Sequence, residues 1–492
     1  MKFLLDTNVL ISLEPTSLSD ADRDMQPAAA ELVRLIHQAK HQYWIHPATL
    51  EDLRNDRDVR RRKLRELFLG KYPILNRPPD LGTDLRSTVG SPQPGTNDWN
   101  DAWLLAALRA NAVDVLVSDD DRLHRKARRA DLEDRVYTTR EALDWVRRLF
   151  DQPQPPPPAV ESVWAYNLRP DDPIFDSFRQ DYRGFDAWLR KCRLEGRQSW
   201  VIQNPDSSGY SAVCIVNQET ERLDECPGKV LKICSFKVAQ ESSGLSYGEL
   251  LLRTVFQHAH LNSYDWLYIT VRPRYDFLMD FLASFGFSPF RTATTDGDLE
   301  YAKPLRPGDQ SLAPLDYHIR YGPYCWKSDG VPLWIVPIQP NYHKTLFPDA
   351  DDQMQLIAGG RASGNSIRKA YLSRSGIRSL SPGDVLLFYR SDDRRAITAV
   401  AVAEETLVSN SPEELARFVG KRTVYRFQDI QAWCDGGSAP VLAILFRYAY
   451  PLATPIPFAR LKEHGALVAA PQSTLQVKRE ALQWLQTQLS AP

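Results

Sequence analysis

The stretch Val113-Asp-Val-Leu-Val-Ser-Asp-Asp-Asp121 decides how the first part of this chain reads. Its apolar run, Val113 to Val117, has the length and β-branched content of a buried strand, and it stops at three consecutive aspartates. The N-terminus repeats the form, because Lys2 to Leu5 is a short apolar run that ends at Asp6-Thr7-Asn8. Between these runs, helical patterns span Pro27 to Lys40 and Asn97 to Asn111, so strand and helix alternate as in a doubly wound α/β domain with a parallel sheet. Such sheets bind ligands outside the carboxyl ends of their strands, which is where Asp6 and the aspartate run fall. Asp98 and Asp101 open the second helix three residues apart, on one face and near its positive end. Glu51 follows an expected strand, Tyr43-Trp-Ile-His46, in the helix-like run Ala48 to Arg54.

Carboxylates gathered at one sheet edge repel each other and lose solvation, which bound cations relieve. Oxygen-only ligands suit Mg²⁺ or Mn²⁺ rather than zinc. Two such ions about 4 Å apart activate a water and stabilise an in-line phosphodiester displacement. The candidate ligands are Asp6, Glu51, Asp98, Asp101, Asp119 and Asp120. Asp98 reads equally as a helix N-terminal charge, and any one acid alone reads as a cap or surface residue. Two basic stretches, Arg54 to Arg65 and Arg122 to Arg129, each follow a proposed ligand, and Arg61, Arg62, Lys63, Arg125 and Lys126 are candidate phosphate contacts. The other reading of both stretches is a solvated helix face.

The motifs FLLDTNVLI, ATLEDL, NDAWLLAAL and VLVSDDDRL resemble, in order and spacing, those of PIN-domain ribonucleases. The resemblance implies an endoribonuclease with Asp6, Glu51, Asp101 and Asp120 as its catalytic acids and Ser118 as the hydroxyl partner of the fourth. Asp119 remains a rival to Asp120, since three aspartates in a row leave the register open. It also implies that Thr7 and Asn8 orient Asp6 or the attacking water.

Bulk properties set the frame around this segment. A length of 492 residues corresponds to roughly three domains. Lys and Arg number 61 against 62 Asp and Glu, so any surface for polyanions is local. Asp6 interrupts the N-terminal apolar run, which excludes a secretory signal there and leads us to expect a cytoplasmic protein. The six cysteines lie far apart with no C-x-x-C pair, the pattern of reduced, buried thiols. A run of prolines marks 151–161 as a stiff linker between a domain over 1–150 and another over 162–305. A weaker break at 306–314 opens a third domain, 315–492.

In the second domain a strand, Val230 to Val238, runs into small residues and then a helix, Glu249 to His260, whose free amides suit a pyrophosphate. With Trp266 to Val271 and the closing Gly286-Phe287, this resembles the GNAT N-acetyltransferases, a mixed-sheet fold that implies acetyl-CoA as cofactor. The coenzyme loop then comprises Val238, Ser243, Gly244, Ser246, Tyr247 and Gly248. This sequence departs from the family at Ser243, where a basic residue is usual, and at Ser246, where a glycine is usual. The tyrosine that commonly protonates the leaving thiolate falls on Leu282, and no acid lies in Val230 to Val238 to act as base.

In the third domain the turn and strand Leu380-Ser-Pro-Gly-Asp-Val-Leu-Leu-Phe-Tyr389, with a second strand at Ile397 to Ala403, resembles PUA-like barrels of the ASCH or EVE kind. Ser366 to Arg378 reads as a basic amphipathic helix carrying candidate phosphate contacts, among them Arg368 and Lys369. The fold class expected is therefore multidomain α/β and α+β: a PIN-like parallel sheet, a GNAT-like mixed sheet and a small C-terminal barrel. The leading expectation is a metal-dependent endoribonuclease acting on tRNA or another structured RNA, with an acetyltransferase module. Both resembled enzyme families supply bacterial toxins, which implies an antitoxin partner, and PIN domains commonly dimerise. The alternatives are an N-acetyltransferase of a protein or small amine whose first domain serves recognition, and a non-catalytic RNA-binding regulator.

Overall fold

A computed structural model describes all residues except 14–24, 55–61, 63–71, 91, 150–159, 205–208, 220–225, 240–245, 292–296, 351–365, 437–439 and 490–492. The chain divides into two compact units. One comprises Met1–Gln154 with Ser409–Lys421 and Tyr425–Gly436, and the other comprises Pro155–Val408, Arg422–Val424 and Gly437–Pro492.

The first unit is built on four parallel strands, β1 (Lys2–Leu5), β2 (Gln42–Ile45), β3 (Val115–Val117) and β4 (Val136–Tyr137), in the order β2-β1-β3-β4. Alternate side chains of a strand point to opposite faces, and here both faces are covered. Phe3 and Leu5 pack with Leu32, Ile36 and Trp145, whereas Leu4 packs with Leu105, Leu108 and Leu123 on the other side. That two-sided burial is why the strands read as unbroken apolar runs. The helices are α1 (Thr7–Leu13), α2 (Met25–Gln38), α3 (Pro47–Arg54), α4 (Thr83–Thr88), α5 (Asn97–Arg109), α6 (Asp121–Arg129) and α7 (Thr139–Leu149). Two helices from far along the chain, Pro412–Val419 and Phe427–Asp435, complete this unit. Arg417 lies 3.5 Å from Asp114, at the entry to β3, and Phe427 meets His41 edge-on at 5.4 Å.

The second unit holds two sheets. The first runs β10-β11-β9-β8-β7-β6-β5 and contains β5 (Val160–Trp164), β6 (Gln198–Gln203), β7 (Tyr210–Gln218), β8 (Val230–Val238), β9 (Trp266–Val271), β10 (Ser288–Arg291) and β11 (Leu299–Pro304). All neighbours are antiparallel except β8 and β9. One face carries α8 (Asp176–Asp181), through Phe178, and α9 (Phe185–Leu194), through Phe185, Leu189 and Cys192. The other carries α10 (Tyr247–Leu261) and α11 (Asp276–Ser284), through Leu251, Val255 and Leu282. Gly286, just past α11, has φ +84°, and a Cβ there would stand 2.0 Å from the Ile319 carbonyl oxygen of α12 (Pro314–Tyr321). Only glycine allows that approach.

The last sheet has six strands in the order β13-β16-β15-β14-β12-β17: β12 (Leu333–Ile338), β13 (Arg368–Arg374), β14 (Val385–Arg390), β15 (Ala396–Ser409), β16 (Val441–Pro457) and β17 (Leu475–Gln476). A barrel was expected here; among the described residues the ladder keeps two edges, β13 and β17. The helix expected over Ser366–Arg378 is instead strand β13, paired antiparallel with β16 from Arg368↔Arg447 to Arg374↔Val441. The run Lys369 to Ser373 is buried throughout, which an amphipathic surface helix does not do, and ladder pairing with β16 overrides the local pattern. Among the described residues no helix is long and apolar enough to cross a membrane.

Candidate functional sites

At the carboxyl edge of the parallel sheet, Asp6 leaves β1 and its backbone N–H bonds to the Val117 carbonyl at 3.0 Å, which brings the ends of β1 and β3 together. Its carboxylate accepts the Thr7 N–H at 2.6 Å, the Asn8 amide at 3.0 Å and the Ser118 hydroxyl at 2.6 Å. Burial pushes the Asp6 pKa up to about 7; the Ser118 bond opposes this, and the neighbouring Asp101 and Asp120 carboxylates add to it. Asp101, buried in the first turns of α5, is also raised, first by burial, with Lys126 opposing. Asp120 caps α6 through the Arg122 N–H at 2.7 Å. Asp119 turns to another element, accepting the Thr139 N–H at 2.8 Å and its hydroxyl at 2.6 Å at the start of α7.

Lys126 was expected to meet RNA phosphate. It is instead only 8% exposed, and its ammonium lies 2.6 Å from both Asp98 and Asp101. Helical spacing on α6 turns this side chain inward, and the carboxylate pair neutralises it. Asp98 is held below the usual carboxylate range by that contact. Glu51 is exposed on α3. Among the described residues no three acidic, histidine or cysteine side chains converge closely enough to hold a metal ion. In this arrangement the Lys126 ammonium neutralises Asp98 and Asp101, and Asp6 is satisfied by Thr7, Asn8 and Ser118. Arg62 and Arg125 are part-exposed, and Arg61 and Lys63 lie outside the described residues. Sequence reasoning missed His124, whose Nε2 lies 2.7 Å from the Ser118 carbonyl oxygen. It also missed Trp99 and Trp103, in edge contact at 5.9 Å on α5 beside the acids.

The second site lies where β8 and β9 part. These parallel strands pair only from Val230↔Trp266 to Ile233↔Ile269, while β8 continues to Val238 against β7 and β9 continues to Val271 against β11. From Cys234 onward, the β9 side of β8 therefore makes no ladder bond with β9. Helix α10 begins beyond it at Tyr247; Ser246, with φ +56°, caps it without a side-chain hydrogen bond. Of the residues expected to cradle a pyrophosphate, Val238, Ser246, Tyr247 and Gly248 are described here, and Ser243 and Gly244 lie outside the described residues. A Cβ on Gly248 would sit 3.5 Å from Phe281, an ordinary contact, so space does not demand glycine there.

Phe236 and Val238 of β8 and Tyr275, Leu278 and Phe281 around α11 line the same partly covered core edge. Leu282 is fully buried beneath them and has no acid–base chemistry. An acid does lie close by. Asp181, at the end of α8 with a side chain 1% exposed, accepts the Tyr275 hydroxyl and pairs with Arg274. Beside it, Tyr182 donates to Asp298 at 3.1 Å under the Arg272 guanidinium, 4.1 Å from the ring centroid. No spacing in the sequence signals the Asp181–Tyr275 pair, because 94 residues separate its members.

In the C-terminal sheet, Lys369 is fully buried and Arg368 is pinned to Glu404 at 2.7 Å, which corrects the expectation that both face RNA. Arg447, at 3.2 Å, and Arg422, at 3.9 Å, approach the same Glu404 carboxylate, and together these arginines hold it well below the usual carboxylate range despite its burial.

No protein-family model and no curated protein matches the chain. Solved structures resemble parts of it. An ASCH protein of Zymomonas mobilis is 18% identical over 32% of this chain and 96% of that one, with a TM-score of 0.26. A GNAT-family acetyltransferase of Staphylococcus aureus Mu50 is 15% identical over 30% of this chain and 100% of that one, with a TM-score of 0.25. A structure described as a bacterial toxin is 15% identical over 30% of this chain and 90% of that one, with a TM-score of 0.23.

Proposed function

We propose that this chain is an acyltransferase that takes its acyl group from coenzyme A, with the coenzyme seated where β8 and β9 part. The observation that carries this reading is the short parallel pairing, four residues long, between strands that both run on beyond it. Strands that part leave backbone amides and carbonyls of β8 open to an extended ligand, and a pantetheine arm, with its own amides, can pair there as an added strand would. Helix α10 starts on the same side, and its positive end suits the pyrophosphate. In the reaction, the acceptor nitrogen, as a free amine, attacks the thioester carbonyl, and the N–C bond forms as the C–S bond breaks. The nitrogen gives up one proton to water, and the departing thiolate takes one from a protein donor that water then reprotonates. Tyr275, whose hydroxyl meets Asp181 beside the same core edge, is the donor we assign to that proton, with Asp181 as its positioning group. Acetyl-CoA is the simplest donor.

Calorimetry with coenzyme A tests the seat, with binding in the micromolar range expected and no heat at millimolar coenzyme counting against it. Transfer to a panel of protein and small-molecule amines tests the chemistry, with Tyr275→Phe expected to lower kcat at least about tenfold at unchanged coenzyme affinity. Equal turnover by that variant removes Tyr275 from the reaction.

A second reading, hydrolysis of an RNA phosphodiester at the acid-lined edge, is favoured by the burial of Asp6 beside Asp101 and Asp120. Total RNA incubated with Mn²⁺ decides it. Cleavage that is lost in Asp6→Asn and in Asp101→Asn supports the reading, and equal cleavage by both variants removes it.

A further inference from the structure

Both helices that flank the parting strands are tied to the C-terminal sheet. Glu249 lies in the first turn of α10, and its Oε2 accepts the backbone N–H of Ile367 at 2.6 Å and of Arg368 at 3.1 Å, at the start of β13. The Arg368 guanidinium continues to Glu404 of β15, with Nε at 3.1 Å and the terminal nitrogen at 2.7 Å. Glu404 accepts from Arg447 of β16 at 3.2 Å, and Arg447 in turn donates to the carbonyl of Ser284, the last residue of α11, at 2.8 Å. An unbroken chain of polar contacts thus runs from the start of α10 to the end of α11 through one carboxylate, Glu404.

A glutamate in the first turn of a helix favours that helix, yet its charge opposes an anionic ligand at the same end. Glu249 avoids the conflict because two backbone donors of β13 take up its carboxylate. Charge-assisted bonds of this kind are among the stronger ones, and Arg447, 6% exposed, is held by partners on two elements. Glu404 with its three arginines is a compact, largely buried network whose members stand or fall together.

We infer that the C-terminal sheet is a built part of the coenzyme site, with Glu249 and Glu404 as positioning residues that fix the two helices on either side of the gap between β8 and β9. This rests on the acyltransferase reading above. Preorganisation of this kind raises affinity by removing the cost of ordering the site on binding. The C-terminal sheet thereby acts on the transfer reaction without touching the substrate.

The test uses the full chain with Glu249→Ala, Glu249→Asp and Glu249→Gln, and coenzyme A as the probe. Glu249→Gln keeps an oxygen able to accept both N–H groups, whereas alanine removes it and aspartate falls short by one methylene. Calorimetry is expected to give about tenfold or weaker coenzyme affinity in Glu249→Ala and Glu249→Asp, and affinity within about threefold of the parent in Glu249→Gln. Should the alanine variant fail to fold, the aspartate and glutamine pair decides. Affinity in Glu249→Asp equal to that of the parent overturns the inference. Hydrogen exchange of the amides of Leu250 to Leu252 is read in parallel without coenzyme, and these are expected to exchange faster in the alanine and aspartate variants alone. If the parent binds no coenzyme, the acyltransferase reading falls and the exchange rates judge the strut. Equal exchange in all four proteins overturns it.

Discussion

A single imidazole illustrates what burial does to an ionisable residue in this protein. His318 is 3% exposed in α12, its Nδ1 lies 2.9 Å from the Cys325 carbonyl oxygen, and burial holds its pKa down to about 3 against an ordinary 6.5. Below pH 6.5 the unfolded chain binds a proton that the folded chain refuses, so the stability this residue contributes is present above 6.5 and lost as pH falls toward 3. The loss amounts to about 1.4 kcal/mol per pH unit. Between pH 7 and pH 5 the second unit should lose about 2 kcal/mol more stability than a His318→Gln variant, measured from urea midpoints. The residues of the candidate sites differ in how far the sequence discloses them. Asp6 and Asp101 stand out because each ends a strand or opens a helix. Lys126 is hidden among four arginines of its stretch, and nothing local says that it alone turns inward to Asp98 and Asp101. Asp181 and Tyr275 meet only through the packing of α8 against the loop after β9.

At the scale of elements, legibility follows how much of an element's character is local. Strands β1 and β3 are readable because helices cover both faces, so every position is apolar. Strand β13 is misread because its Arg, Lys and Ser positions imitate an amphipathic helix, while the partner that makes it a strand, β16, lies far along the chain, with Arg368 paired to Arg447. The length of β8 can be read from its sequence. Its parting from β9 cannot, since register between strands joined through a helix is a tertiary property. The turn after α11 supplies a sharper test of packing. Replacing Gly286 by alanine forces a Cβ toward the Ile319 carbonyl oxygen in a left-handed backbone conformation, so thermal unfolding should show a loss of at least about 2 kcal/mol. A Gly286→Ala variant as stable as its parent would mean that α12 does not close onto this turn.

At the scale of the molecule, the first stretch of one compact unit ends at Gln154, within the proline run at 151–161, yet that unit does not stop there. The first unit takes in Ser409–Lys421 and Tyr425–Gly436, which the sequence assigns to the last domain. Composition carries no mark of this, because the helices Pro412–Val419 and Phe427–Asp435 are ordinary amphipathic segments whose apolar faces do not name their partner. Buried Leu415, Val419 and Ile430 belong to these helices, so a chain ending at Gln154 lacks them. Such a truncated chain is expected to unfold several degrees below the same unit in the full protein; an equal midpoint would make the two helices dispensable to it.

The composite first unit also has a consequence in time. Ribosomes add roughly 5–20 residues per second, so the interval between completing Gln154 and completing Gly436 is on the order of 15–60 s. Through that interval the acid-lined edge exists without two of the helices of its unit. The unit is therefore complete only after the parting strands and most of the C-terminal sheet have already been made.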